Sequence, residues 1–352
     1  MSEPSQTARH WDSDPWNTAD ILFWTQLPAV QRRQAVKESG RVDGNWVTHT
    51  LQTHLAGHLP LGRCLSLGCG RGRVERQWAE QQAFLACDAY DISPASIADA
   101  AQEASRAGYD HIHYAVADIN QIDLPPAWYD AVWAAGAVHH FDRLEHVFAQ
   151  VAQALKPGGL FILNEYVGPS RFQFPPAQRQ AIQACLDLLP PAYRQLSAQV
   201  AQARLSGGGK QHLLPPGLHR RLLDKWRDGD LLAAVGRRLR LLRAARAGVA
   251  LEKSTANLPT ARSVIAVDPS EAVRSAEIVP LLRQHFDILE YKPLGGTILQ
   301  FLLADIAGNF QQDETGARLL EMLFAIEDAL IDAGHIESDF AYIVAAPKAS
   351  AG

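Results

Sequence analysis

Short apolar runs alternate with amphipathic stretches through the first half of the chain, and each run ends in glycine or a polar residue. That is the pattern of buried parallel strands wrapped in helices. Cys64 to Leu67 reads as a strand that enters a turn containing Gly68, Gly70 and Gly72, with a helix starting near Arg73. Ala83 to Cys87 leads to Tyr90-Asp91-Ile92-Ser93-Pro94, where Ser93 caps and Pro94 opens the next helix. A third run, His113 to Ala117, ends in Asp118-Ile119. Tyr129 to Phe141 forms a fourth strand and its exit through Gly136, His139 and His140. A helix from Leu144 to Leu155 stops at Lys156-Pro-Gly-Gly159, and a fifth strand, Leu160 to Leu163, reaches Asn164-Glu165-Tyr166. Phe286 to Tyr291 and Phe340 to Ala346 supply a sixth strand and a seventh, antiparallel one. The fold class is α/β.

More than 100 residues separate the fifth and sixth strands, far beyond an ordinary connection. Asp268-Pro-Ser-Glu271 has the form of a capping box with proline at the first helical position, so a crossover helix is expected from there to His285. Four segments follow: an N-terminal helical extension or flap (1–61), a core in two parts (62–167 and 268–348), and a helical insertion (168–267) acting as a substrate lid. The extension carries Trp11, Trp16, Trp24 and Trp46, a density that speaks for packing on the core. Pro190-Pro191, Gly207-Gly-Gly209 and Pro215-Pro-Gly217 break the insertion. A helix is also expected from about Ala317 to Ala333.

The turn spacing separates cofactor classes. A nicotinamide or flavin fingerprint needs Gly-x-Gly-x-x-Gly, and its third glycine position holds Arg73 here. Arg63-Cys-Leu-Ser-Leu-Gly-Cys-Gly-Arg-Gly-Arg73 instead resembles motif I of the class I S-adenosylmethionine-dependent methyltransferases. Asp91-Ile-Ser-Pro94, Asp118-Ile119 and Leu155-Lys-Pro-Gly-Gly159 follow in the family's order, so the resemblance covers about Leu61 to Val167 and, more loosely, the last helix and strands. It implies a seven-stranded, Rossmann-like methyltransferase sheet and S-adenosyl-L-methionine as cofactor. It also implies cofactor contacts from Gly68, Gly70, Gly72, Asp91, Ile92, Asp118, Ile119 and Gly136. Asp91 would accept from the ribose hydroxyls and Asp118 from the adenine amino group. Asp91 stands 19 residues past Gly72, the spacing of a second-strand acid, whereas Asp88 falls inside the strand. The phrase Asn164 to Gln173, with Asp268 to Arg274 and Gly295-Gly-Thr297, also resembles a bacterial subgroup associated with sugar and surface-polysaccharide assembly.

Charge adds one feature. The chain carries a net charge of -5, yet Arg171 to Arg246 holds fourteen Lys and Arg against four Asp and Glu. Leu231, Leu232, Val235, Leu239 and Leu242 recur there at helical spacing among arginines. Such a helix is a solvated face, or else it attracts an anionic or lipid-linked acceptor or an acidic membrane surface. The first residues show no signal peptide and no apolar run is long enough to span a membrane, so a cytoplasmic enzyme is expected, with peripheral membrane contact open. The four cysteines read as core residues and no Cys-x-x-Cys or His-x-x-x-His spacing indicates structural zinc; Glu165, Asn164, Asp142 and the paired histidines offer ligands for magnesium, but their order does not match the metal-assisted families, so no metal site is assigned.

Methyl transfer chiefly requires an acceptor held in line, and a hydroxyl acceptor also benefits from a base. His140, Glu165 and His139 stand at strand exits facing the expected methyl group and are the catalytic candidates; helix capping by the histidines and cofactor binding by Glu165 are the competing roles. Tyr166 and Arg171 are expected to touch the acceptor, a sugar or another polar small molecule. Two other functions compete with this one: a non-catalytic cofactor-binding scaffold or sensor, and a nucleic-acid methyltransferase. Nucleic acid is not the expected partner, because Ala137-Val-His-His140 stands where an Asn/Asp-Pro-Pro-Tyr-like motif would receive a flipped base.

Overall fold

The computed structural model describes residues 6–12, 22–196 and 251–348. Trp16, the glycine and proline breaks after residue 200 and the basic amphipathic helix lie outside the described residues. Seven strands form one sheet: β1 (Leu61–Leu67), β2 (Phe84–Asp91), β3 (Ile112–Val116), β4 (Tyr129–Ala135), β5 (Leu155–Tyr166), β6 (Phe286–Gly295) and β7 (Phe340–Pro347). Their order is β3-β2-β1-β4-β5-β7-β6. β1 to β5 pair in parallel, and β7 runs antiparallel to both β5 and β6. The order reverses between β1 and β4, and ligands of open α/β sheets bind outside the strand ends at such a point.

The helices that shape the site are α1 (Gln6–Asp12), α2 (Pro28–Ser39), α3 (Trp46–Thr53), α4 (Arg73–Glu80), α5 (Pro94–Arg106), α6 (Leu144–Ala154), α7 (Pro176–Leu188), α8 (Ala261–Val267), α9 (Ile278–His285), α10 (Leu299–Leu303) and α11 (Glu314–Asp332). One sheet face is covered through Val147, Phe148 and Leu282. The other is covered by Trp46 and Trp78, the latter stacked on Trp133 of β4 at 4.3 Å. A third apolar cluster joins Leu27, the N-cap of α2, and Val30 of α2 with Ile182 and Leu186 of α7, Leu302 of α10 and Leu323 of α11. The start of the insertion thus shares a core with the helices that follow β6. Among the described residues no helix is long and apolar enough to cross a membrane.

Two local expectations are overturned. Asp268-Pro-Ser-Glu271 does not open a helix: Asp268 is the C-cap of α8, and α9 begins only at Ile278. Asp268 Oδ1 instead accepts from the Ser270 amide at 2.8 Å and its hydroxyl at 2.7 Å, folding the segment into a turn. Lys156-Pro-Gly-Gly159 lies inside β5, bulged out between Leu155, opposite Tyr129, and Leu160, opposite Ala131. Gly158, at φ 80°, permits that bulge, and Lys156 Nζ fixes it on the Asp130 carboxylate at 2.9 Å.

Candidate active site

The glycine turn leaves β1 with Gly68, Gly70 and Gly72 all at positive φ. Gly68 and Gly72 are held by neighbours. A Cβ on Gly68 would stand 2.4 Å from the Ala137 Cβ, and one on Gly72 2.4 Å from the Tyr114 hydroxyl. Gly70 and Gly136 face open space, since a Cβ on either meets nothing within 4 Å. The open space beside these two glycines, at the exits of β1 and β4, is the candidate cleft.

Asp91 ends β2 beside that cleft. Its Oδ2 accepts from the Gly70 amide and its Oδ1 from the Ser93 amide, each at 2.9 Å. Burial raises its pKa, against the pull of those N–H groups. Each oxygen keeps a further lone pair, which is what a vicinal diol needs. Asp88 is committed elsewhere, to a two-pronged pair with Arg63 at 2.7 and 2.8 Å and to the Tyr129 hydroxyl at 3.0 Å. Asp118 accepts from the Asn120 amide at 3.0 Å and the Gln121 side chain at 2.6 Å, while Ile119 is buried and Ile92 half-buried. α1 touches both sides of the cleft. Asp12 accepts from the Ser93 hydroxyl at 2.6 Å, and Trp11 packs edge-on against His140 at 5.1 Å.

At the β4 exit, Glu165 organises the backbone. Its Oε2 accepts from the amides of Ala137 at 2.8 Å and Val138 at 2.6 Å; its Oε1 takes the Tyr166 amide at 2.7 Å and His139 Nδ1 at 2.5 Å. With 1% of its surface exposed, this carboxylate is fully engaged in holding the turn and its histidine. Burial works against the charged form of His139, but Glu165, with Glu271 and Asp268 behind it, prevails and holds the ring at about 8.

The sign of this shift gives a pH dependence. The folded pKa lies above the free value of 6.5, so the contribution is fully present below pH 6.5 and is lost as pH rises through 8. His139 is expected to contribute about 2 kcal/mol of stability that is lost between pH 6 and pH 9, so His139→Gln should change the pH slope of urea unfolding by that amount. An unchanged slope in the variant would remove His139 as its source.

His140 is pushed the other way. Burial, followed by the charge of His139, holds its pKa well below 6.5, so the ring is neutral at pH 7. Its Nδ1 lies 3.0 Å from the Ser270 hydroxyl, which spends its only hydrogen on Asp268 Oδ1. The hydroxyl oxygen must therefore accept from Nδ1–H, which leaves Nε2 as the ring's unprotonated nitrogen. Asp268 is 1% exposed, and its Oδ2, without a hydrogen bond, stands 3.5 Å from the same Nδ1. Two adjacent rings thus take different states, one cationic and one basic.

The turn after α8 completes the pocket. Val273 donates its amide to the His139 carbonyl at 3.0 Å, and Glu271 Oε1 lies 3.7 Å from His139 Nε2. Arg171, in the left-handed region at φ 56°, donates to the Glu271 carbonyl at 2.9 Å and so stands beside the histidines. Tyr166 is buried behind His139, its hydroxyl bonded to the Pro169 carbonyl at 3.1 Å. Asp268, Ser270 and Glu271 were not among the site residues read from the sequence. Their local pattern signalled a helix start, and only the fold brings Ser270 to a histidine 130 residues earlier.

A family profile described as a methyltransferase domain matches residues 65–163. The chain is 30% identical over 189 residues to a malonyl-[acyl-carrier protein] O-methyltransferase of Enterobacter lignolyticus, covering 51% of this chain and 70% of that protein. It is 32% identical over 124 residues to a 27-O-demethylrifamycin SV methyltransferase of Amycolatopsis mediterranei, covering 34% of this chain and 45% of that protein. A solved S-adenosylmethionine-dependent methyltransferase from Mesorhizobium loti aligns with a TM-score of 0.39 at 19% identity, over 86% of this chain and 98% of that one. With a relative 30% identical and matched over more than two thirds of its length, a methyltransferase domain profile and a sheet of this order, the chain belongs to the class I S-adenosylmethionine-dependent methyltransferases.

Proposed function

We propose that the enzyme O-methylates a hydroxyl of a sugar or another polar small molecule, with His140 as the general base. The observation that carries this reading is the state of His140: a neutral ring at the β4 exit, its Nδ1–H anchored by Ser270 and Asp268 and its Nε2 free to accept. When bound, S-adenosylmethionine supplies a methyl group already activated by a sulfonium, so the leaving side needs no acid. The acceptor side does need help, because a hydroxyl must lose its proton as its oxygen bonds to carbon. His140 Nε2 takes that proton, and the carboxylate of Asp268 behind Ser270 stabilises the resulting imidazolium. Glu165 sets the backbone from which both histidines project, and Asp91 holds the ribose.

Asp268, Glu271 and Glu165 crowd the methyl end with carboxylates, which favours a neutral acceptor oxygen over an anionic one there. The sugar assignment rests on the resemblance of the Asn164 to Gln173 phrase; attraction of an anionic or lipid-linked carrier rests on the basic stretch before Arg246. The test is transfer of labelled methyl from S-adenosylmethionine to a panel of free sugars, nucleotide-linked sugars, small polyols, amines and carboxylic acids. Products that are methyl ethers support the proposal. Label found only on nitrogen, carbon or carboxyl oxygen would overturn it.

A further inference from the structure

A second group of chemistry-bearing side chains joins the N-terminal extension to the sheet edge. Trp46, Val47 and Leu51 bury one side of α3, and the Thr50 hydroxyl meets Tyr342 of β7 at 2.7 Å, which fixes the helix on the sheet. His49 of α3 and its C-cap His54 then face β6. His49 Nε2 lies 2.9 Å, and His54 Nε2 2.7 Å, from one and the same atom, Oε2 of Glu290. Lys292 Nζ stands 2.9 Å from His49 Nε2 and 3.3 Å from Glu290 Oε1.

These contacts cannot all be hydrogen bonds at once. If His49 Nε2 carries a hydrogen it donates to Glu290 and turns that hydrogen on the ammonium. If it carries a lone pair it accepts from Lys292 and turns that pair on the carboxylate. One cation with two imidazole nitrogens and a carboxylate oxygen around it resolves the conflict, and the Lys292 ammonium is already drawn to that place.

We propose that His49 Nε2, His54 Nε2 and Glu290 Oε2 form a binding site for a divalent transition ion of the zinc class, with Lys292 as its built-in competitor. Two imidazoles and one carboxylate are a borderline donor set suited to that class, leaving a fourth position for water. The three donor atoms lie within 4.8 Å of one another. Tetrahedral bonds of about 2.0–2.1 Å place such atoms about 3.3 Å apart, so the two His–Glu separations of 2.9 and 2.7 Å open by roughly half an ångström to admit the ion. Lys292 has somewhere to go, since it also donates to the Glu38 carbonyl at 2.7 Å. The side chains are 12%, 15% and 23% exposed, which leaves the ion a path from solvent. A bound ion would tie α3 to a strand 241 residues later and stabilise the fold by mass action.

The test uses the full chain, stripped by a chelator and titrated with Co2+ while the visible bands of four-coordinate cobalt are followed, then with Zn2+ while the melting temperature is followed. One equivalent of Co2+, displaced by Zn2+, is expected, with a higher melting temperature in Zn2+. His54→Ala and Glu290→Gln should each weaken binding at least about tenfold. Glu271→Gln, beside His139 at the other histidine cluster, should leave it unchanged. Lys292→Met should tighten it severalfold, a gain that misfolding cannot mimic. A wild-type chain that takes up no equivalent of Co2+ overturns the proposal, as does binding that survives both ligand substitutions or is abolished by Glu271→Gln.

Discussion

Replacing His140 with alanine is expected to lower kcat by about 10²–10⁴, the usual worth of a positioned general base, while affinity for S-adenosylmethionine stays within about twofold. The separation of the two effects follows from position. In the proposed reading His140 Nε2 serves the acceptor, whereas the cofactor is assigned to Asp91 and Gly70, which are joined to each other by a hydrogen bond of 2.9 Å. Asp268→Asn probes the same idea without touching the ring. An asparagine amide can donate to Ser270, which then donates to His140 Nδ1 and leaves the hydrogen on Nε2, so the base loses its working tautomer. A smaller fall in kcat is expected, with cofactor affinity again retained. Steady-state kinetics on the accepted hydroxyl, paired with calorimetry on the cofactor, reads both. Full turnover in His140→Ala would mean that the acceptor needs no base from this ring.

Glu165→Ala should cost about 3–5 kcal/mol of folding stability, the scale of breaking a buried ion pair by removing one partner. Three backbone amides, those of Ala137, Val138 and Tyr166, would lose their acceptor, and His139 would lose the charge that keeps it protonated. Glu165→Gln retains an acceptor and should cost less. Urea unfolding at pH 7 measures both. A change under about 1 kcal/mol in the alanine variant would show that the turn from Ala137 to His140 is held by its packing alone, chiefly by Val138, which is fully buried.

The parts of this site that were legible in the sequence are those whose cause is local. Gly68, Gly70 and Gly72 announce a turn because the chain needs positive φ there, and Asp91 is located by its distance from that turn and by the end of an apolar run. The proposed choice of Asp91 over Asp88 is supported across the strands, where Asp88 lies opposite Leu65 and is paired with Arg63. The apolar run of the last strand was readable for the same local reason, while its antiparallel sense is what the family resemblance implies and what its pairing with β5 and β6 shows. What could not be read is whatever depends on contacts across the chain. Asp268-Pro-Ser-Glu271 has the composition of a helix cap, and nothing nearby distinguishes a cap from a turn. Its real partners are His139 and His140, brought there by the crossover from the insertion. Likewise, Glu165 and the paired histidines were visible at strand exits, but the opposite ionisation of the two rings arises only in the fold, where Glu165 holds the charge on His139 while burial and that neighbouring charge keep His140 neutral.

Calorimetric titration with S-adenosylmethionine, S-adenosylhomocysteine and NAD, repeated on Asp91→Ala, tests the central claim most directly. Micromolar binding of the two sulfur nucleosides, none of NAD, and affinity at least about tenfold weaker in the variant are expected, the scale of one lost charge-assisted hydrogen-bond pair. Unchanged affinity in Asp91→Ala, or a folded protein that binds NAD in their place, would contradict the cofactor site at the β1 and β4 switch point.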